Sequence, residues 1–490
     1  MEFKAKKKLI DQLSLIEERY AVETWNLNHI QYWPILKNII YFRDRKITKN
    51  SIIRGLFNSP IITIKKVVTK LIDKKKNKRF LVNQSVDFDN ISKCDVIFSG
   101  SKVYFQYMEN YYLNRYFDPI MDNIEDKYSS MLFDYSISPE DNVYKRERVI
   151  SLSAFYNSNL RNKSLEIFLD SKFTAEIKQV SKITKISESV LVRELVQTIK
   201  EITVWKLIWK KILQKTEAKV AFVLCYYNEP MYGLLLAAKE RGVPTVDMQH
   251  GGQGDLHPAY SFKNFPNCGF NSLPSIFWVW NKSSSNHILN WLNTPVHSVS
   301  VAGNPWIDFL KKSKITLQTD DKKIIICTLT IGLSSIFPAY LLNSIIESSN
   351  EYSWWLRFHP RTNADDKKSL HKILKKHNLY EKVEITKSNE LPLPLLLLNG
   401  WAHISHSSGS LSEAAILGLK RNIVTSELGA QNHIELLKES KVFYYNPDTE
   451  TKNLIEFAES LPFPSVKGDE EIFVLENYKV KIDEIINNIK

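Results

Sequence analysis

From residue 95 onward the chain repeats one pattern: a short apolar run, a polar or glycine-bearing turn, then a stretch with helical spacing. Near-continuous apolar runs are what strands buried on both faces look like, and their alternation with helical segments calls for parallel strands joined by crossover helices. A first series of strands is expected at 95–98, 148–152, 220–225, 244–248, 276–279 and 298–301. A second begins after the polar stretch 318–322, at 323–329, 353–358, 383–386, 402–405, 422–424 and 442–445. Helices are expected at 338–349, 367–377 and 411–417, among others. A chain of 490 residues is too long for a single core. The expected fold is therefore α/β, with two Rossmann-like domains facing a cleft in which a ligand binds. Residues 1–90 read mainly as helix, with Leu9, Leu13, Ile16 and Tyr20 near helical spacing. The domains are expected at 1–90, 91–315 and 316–490.

Charge and cysteine content narrow the function classes. The net charge is +12, and residues 1–90 hold 19 Lys and Arg against 9 Asp and Glu, so most of the surplus lies at the N-terminal end. Such a region suits anionic lipid, a polyanion or plain solvation. No nucleic-acid readout motif accompanies its aromatics, so nucleic acid is not an expected partner. The four cysteines, Cys94, Cys225, Cys268 and Cys327, form no CxxC pair, which fits a reduced, cytoplasmic protein. There is no signal-peptide-like stretch and no apolar run of membrane-spanning length. Peripheral contact with the inner face of the membrane is the further expectation.

Four polar motifs each follow an expected strand, where the loops of an open α/β sheet line its ligand crevice. Glu229, in Tyr227-Asn228-Glu229-Pro230, follows 220–225. His250, in Gln249-His250-Gly251-Gly252, follows 244–248. Arg357 and His359, in Arg357-Phe358-His359-Pro360-Arg361, close 353–358. Ser405-His406-Ser407-Ser408-Gly409-Ser410 closes 402–405 and opens a helix carrying Glu413. Free backbone N–H groups and a partial positive charge at a helix start suit a phosphate among Ser407, Ser408, Gly409 and Ser410. Glu413 suits ribose hydroxyls, although Ser407 or Ser408 with Glu413 equally suits a simple capping arrangement. Pro360 holds His359 at the strand end, where an imidazole can donate to a phosphate oxygen. The glycines after His250 let backbone approach a ligand closely. Glu229 is either a reactive carboxylate or a favourable charge at a helix start.

The sequence has no GxxxxGK[ST] loop, no GxGxxG after a strand and no HExxH. No DxD-like metal site is evident, so no metal and no cofactor are expected. Charge on a phosphate is then left to helix dipole, histidine and arginine.

These motifs, in this order, resemble a group of GT-B transferases. Gln249-His250-Gly251, the junction Gly303-Asn304-Pro305-Trp306-Ile307-Asp308, Arg357-x-His359-Pro360, and Ser407-Ser408 followed by Glu413-Ala414 look like bacterial capsule and O-antigen polysaccharide glycosyltransferases. The similarity is to the CMP-Kdo transferases and relatives acting on CMP-activated 2-keto acids, and more loosely to CDP-glycerol glycerophosphotransferases. It covers roughly residues 215–430. The resemblance implies a nucleotide-sugar donor, CMP-linked, bound to Arg357, His359, Pro360, the Ser407–Gly409 turn with Ser410, and Glu413. It implies a glycan or lipid-linked glycan acceptor near Glu229 and His250, with Glu229, His250 and His359 as catalytic residues and Asp255 the next acid in line. The family commonly has Gly-x-Pro after that helix; here Gly418-Leu419 runs into Lys420 and Arg421. The alternatives on the same scaffold are a CDP-glycerol-type transferase, a UDP-hexose transferase, and a degenerate glycan- or membrane-binding protein.

Overall fold

The computed structural model describes residues 2–43, 88, 91–108, 110–136, 141–152, 166–312, 321–330, 337–360, 362–462 and 476–487. The expected boundary at 315/316, most of the basic segment between 44 and 87, and Arg361 lie outside them.

Two parallel sheets form the frame. The first contains β1 (Val96–Gly100), β2 (Ser130–Asp134), β3 (Val149–Ser151), β4 (Val220–Leu224), β5 (Thr245–Met248), β6 (Ile276–Val279) and β7 (Ser298–Val301). Their order is β7-β6-β5-β4-β1-β2-β3, and every pairing is parallel. The second contains β8 (Lys323–Thr328), β9 (Tyr352–Arg357), β10 (Val383–Glu384), β11 (Ala402–Ser405), β12 (Asn422–Val424) and β13 (Phe443–Tyr444), ordered β10-β9-β8-β11-β12-β13, again all parallel. Each sheet starts in its middle, runs to one edge and returns to the other. Each therefore has one point where the winding reverses, between β1 and β4 in the first and between β8 and β11 in the second. Crevices open at such points beyond the carboxyl ends of the strands. This is the expected pair of Rossmann-like domains with a helical N-terminal region.

The expected strands recur within a residue or two. The exception is β2, whose Ser-Met-Leu-Phe-Asp offers too brief an apolar run to stand out. The N-terminal region is less uniformly helical than its spacing implies. Between helix α1 (Glu2–Arg19) and the helical residues 33–43 lies a small hairpin, Asn26–Leu27 against Ile30–Gln31. Its two loop residues, Asn28 and His29, both have positive φ (54° and 62°), as a tight hairpin turn needs.

This region is built into the first domain. Leu13, Ile16, Trp25 and Trp33 are buried in one cluster with Trp205 and Trp209 of the long helix α2 (Glu188–Thr216). A buried ion pair joins Lys37 to Glu17 at 2.7 Å, and Glu17 also accepts from Trp33 Nε1 and the Lys263 amide. Helix α3 (Glu229–Glu240) lies so close to α2 that a Cβ at Gly233 would sit 2.5 Å from Trp205 Cβ. Helix α4 (Ser410–Ile416) follows β11. The closing helix α5 (Glu476–Asn487) returns to the first sheet, where Tyr478 and Ile482 bury with Met248 and Trp278. Tyr478 donates its hydroxyl proton to Asp308. The 303–308 junction is thus the clasp that holds the returning helix, and burial pushes Asp308 up to about 6.

Candidate functional site

The two domains meet through their glycine loops. A Cβ at Gly409 would lie 3.0 Å from the Cα of Gly251, and one at Gly254 would lie 2.7 Å from the carbonyl oxygen of Asn432. The turn after β5 and the turn after β11 therefore touch across the cleft, which larger residues at these positions would prevent.

On the first domain's side the centre is His250. Its Nε2 lies 3.0 Å from Cys225 Sγ and 3.5 Å from the Tyr227 hydroxyl, and its Nδ1 lies 3.4 Å from the Met248 carbonyl. Cys225 directly follows β4 with φ of 59°, a left-handed conformation that a non-glycine residue adopts at a cost. Asn228 Nδ2 fixes that turn by donating to the Cys225 carbonyl at 2.8 Å. Burial opposes charge on both partners. Even so, the imidazolium holds the Cys225 thiol below its ordinary value, while the Cys225 sulfur and the Asp247 carboxylate raise His250 to about 9. Asp247 is fully buried, accepts from the Tyr260 hydroxyl at 2.7 Å, and is pushed up to about 6 by that burial. Neither Cys225 nor Asp247 carries a motif. Cys225 directly after an apolar strand and four residues before the helix start was the one available signal.

On the second domain's side small hydroxyls fill the crevice between β8 and β11. Ser410 Oγ is 2.9 Å from Thr328 Oγ1, Ser408 Oγ accepts from the Ser410 amide, and Ser405 Oγ accepts from the Ser408 amide. The N-cap of α4 is Gly409, with no side-chain cap. Ser408 still caps in part, because its hydroxyl takes the amide of the first helical residue, Ser410. His433 lies 3.3 Å from Ser412 Oγ and is driven down to about 4 by burial, hence neutral.

Glu413 connects the two sides. It is buried, which raises its pKa, against the pull of Arg115 from the first domain and Arg357 from the second. Arg357 Nη1 donates to the carbonyls of Ser388 and Leu391, so the end of β9 is tied to the end of the short helix Thr386–Glu390. Burial and the neighbouring Arg115 lower Arg357 to about 10. Next to Arg115, Tyr116 reaches the His250 carbonyl with its hydroxyl at 3.4 Å. These groups form a seam: Cys225 contacts His250, Tyr116 reaches the His250 carbonyl, and Arg115 and Arg357 lie close enough to pull on the charge of Glu413. Arg115 was not legible beforehand: it follows an antiparallel hairpin, Phe105–Met108 with Tyr111–Asn114, which no expected strand anticipates.

Other motif residues lie apart from this seam. Glu229 is the first residue of α3, beside Tyr135 and Tyr232. No hydrogen bond or ion pair among the described residues joins it to His250. His359 is half-buried after β9, with its carbonyl accepting from the Thr362 amide, and Pro360 is exposed. Asp255 sits 3.4 Å from His287 Nδ1. Beyond Gly418 and Leu419, Arg421 stacks over Trp401 at 4.5 Å. Among the described residues no group of three or more His, Cys, Asp or Glu is placed to hold a metal ion, and no helix is long and apolar enough to cross a membrane.

No family model and no curated protein matches the sequence. Solved structures similar to it include a UDP-GlcNAc 2-epimerase from Neisseria meningitidis bound to UDP-GlcNAc, at 16% identity, covering 80% of this chain and 99% of that one with a TM-score of 0.45. Another is the UDP-GlcNAc 2-epimerase of Methanocaldococcus jannaschii, at 14% identity, 80% and 99% coverage and a TM-score of 0.45. A third is the calicheamicin glycosyltransferase, at 10% identity, 81% and 95% coverage and a TM-score of 0.42. The two strand orders, rather than these likenesses, establish the architecture.

Proposed function

We propose that this protein is a glycosyltransferase. It would move a sugar, a Kdo or other nonulosonic acid, from a CMP donor onto a growing bacterial surface glycan. The observation that carries the reading is the meeting of the Gln249–Gly252 turn with the Ser407–Ser410 turn, each beyond the carboxyl end of its sheet. Glu413, Arg115 and Arg357 lie on the seam beside them.

In this reading the nucleotide occupies the second domain's crevice. The hydroxyls of Ser407, Ser408 and Ser410 and the cationic Arg115 and Arg357 offset the phosphate charge, and Glu413 takes the ribose hydroxyls. His359 donates a proton to the departing phosphate oxygen. The sugar's anomeric carbon faces the first domain. If configuration is retained, the Glu229 carboxylate attacks it and CMP departs with the His359 proton; the acceptor hydroxyl then displaces the carboxylate and its proton returns to His359. If it is inverted, Glu229 takes the acceptor's hydroxyl proton during direct displacement. His250, charged beside Cys225, stabilises negative charge gathering in the cleft. The acceptor is a glycan or lipid-linked glycan, and the exposed Lys4, Lys7 and Lys8 of α1 suit an anionic lipid surface.

A ligand that binds the folded state raises its melting temperature by mass action. CMP is expected to do so, and more than CDP or UDP. A shift with UDP alone, or none with any nucleotide, would overturn the donor assignment.

A further inference from the structure

The four cysteines sit in different surroundings, and the transfer proposed above uses none of their sulfurs. Cys94 and Cys327 are buried within apolar clusters, and that burial pushes Cys94 up to about 12 and drives Cys327 up as well. Cys268 is exposed, with its sulfur 3.6 Å from the Gly269 carbonyl. Cys225 is partly exposed, at the carboxyl end of β4 beside the point where the winding of the first sheet reverses. Three donors converge on its sulfur: His250 Nε2 at 3.0 Å and the hydroxyls of Tyr104 and Tyr227. They are held together as a group. The Tyr227 hydroxyl lies 3.5 Å from His250 Nε2, and the Tyr104 ring meets the imidazole edge-on with centroids 5.5 Å apart. A neutral thiol accepts hydrogen bonds weakly, so three donors around one sulfur favour the thiolate.

We infer that Cys225 is a peroxide-reactive site, oxidised reversibly to a sulfenic acid by hydrogen peroxide. The thiolate is the reactive form of a cysteine, and a low-pKa, accessible thiolate is where such oxidation begins. The sulfur attacks one peroxide oxygen and the O–O bond breaks. The departing hydroxide takes the Nε2 proton of His250 and leaves as water. Sulfur gives up two electrons to the peroxide, and the product is Cys225–S–OH beside a neutral imidazole. A dithiol reverses the step: its first sulfur displaces the hydroxyl as water to give a mixed disulfide, and its second releases the Cys225 thiol. His250 thus serves twice, holding the thiolate and protonating the leaving oxygen, while Tyr104 and Tyr227 hold the sulfur between them. The chemistry draws on no nucleotide and no sugar, so it stands or falls apart from the glycosyltransferase reading.

The test treats the full chain with hydrogen peroxide and traps sulfenic acid with dimedone, quantifying the adduct on each cysteine peptide by mass spectrometry. An ordinary thiol is only a few per cent thiolate at pH 7, so at that pH Cys225 should form the adduct about tenfold faster than the exposed Cys268. Dithiothreitol added after the peroxide and before the dimedone should abolish it. His250→Gln removes the cation and the proton donor, and Tyr104→Phe removes one hydroxyl while leaving the ring. The Cys225 rate should fall about tenfold in the first and about threefold in the second. Cys94 and Cys327 in the same digests serve as the folding control, because they stay unreactive only while their clusters are closed. Cys225 reacting no faster than Cys268, an adduct that dithiothreitol fails to prevent, or a Cys225 rate unchanged in the folded variants would overturn the inference.

Discussion

The two walls of the cleft share a topology but not a chemistry. The first domain's wall concentrates titratable groups under burial: Cys225 and His250 in contact at 3.0 Å, Asp247 beneath them, and tyrosines packed around all three. The second domain's wall is made of small hydroxyls bonded to one another and to backbone amides, with its histidines His403 and His433 driven neutral by burial. The difference is one of emphasis: the first wall keeps an acid–base pair in direct contact, while the second surrounds its charged Glu413 and Arg357 with fixed hydroxyl and amide dipoles. Fixed dipoles can hold an anion without changing protonation, whereas buried charges can exchange protons with a reacting group.

The sharpest way to break this comparison is Glu229→Gln, which keeps the shape of the first residue of α3 and removes its charge. Turnover should fall by about a hundredfold with CMP affinity little changed. A loss of CMP affinity with turnover retained would assign Glu229 to the binding wall. The next effect concerns Cys225. Because His250 holds the thiol below its ordinary value, iodoacetamide at pH 7 should modify Cys225 about tenfold faster in the wild type than in His250→Gln. Mass spectrometry of each cysteine peptide reads this directly, and equal rates would mean the pair carries no charge separation.

On the opposite wall, Ser408→Ala removes the hydroxyl that accepts from the Ser410 amide. The loss of a hydrogen bond of about 1 kcal/mol should weaken CMP binding about fivefold and leave the Cys225 alkylation rate alone. If Ser408→Ala changes that rate instead, the two walls are not separable.

A separate effect lies away from both walls, at the clasp. Asp308 has a folded pKa near 6 against 3.8 in the open chain, so the folded state binds the extra proton. Its contribution therefore falls as pH rises from about 4 through 6, by up to about 3 kcal/mol at about 1.4 kcal/mol per unit. Asp308→Asn, which still accepts from Tyr478, should flatten that part of the melting-temperature profile. An unchanged slope would place the titration elsewhere.

The doubly wound architecture was legible because buried parallel strands are written as contiguous apolar runs, and the motif residues fell at strand ends as that architecture requires. The Gln249–Gly252 and Ser407–Ser410 turns were readable for the same reason, since small and hydroxyl residues interrupt the apolar pattern. The short β2 escaped because pairing with distant strands, not local pattern, fixes it, and the 105–114 hairpin is a local pair outside both sheets. The 303–308 junction was seen as a motif, yet its partner Tyr478 lies far along the chain.

The sequence by itself thus determined the two sheets, the strand-end turns and the residues on them, because periodicity and backbone preference are local properties. Only the tertiary structure decided which of those residues share an environment. It set Cys225 against His250 and brought Arg115 from one domain to Glu413 in the other. The physical reason is that burial, charge pairing and hydrogen-bond satisfaction depend on distances through space. Residues far apart in the chain acquire those distances only when both domains have folded and closed on each other.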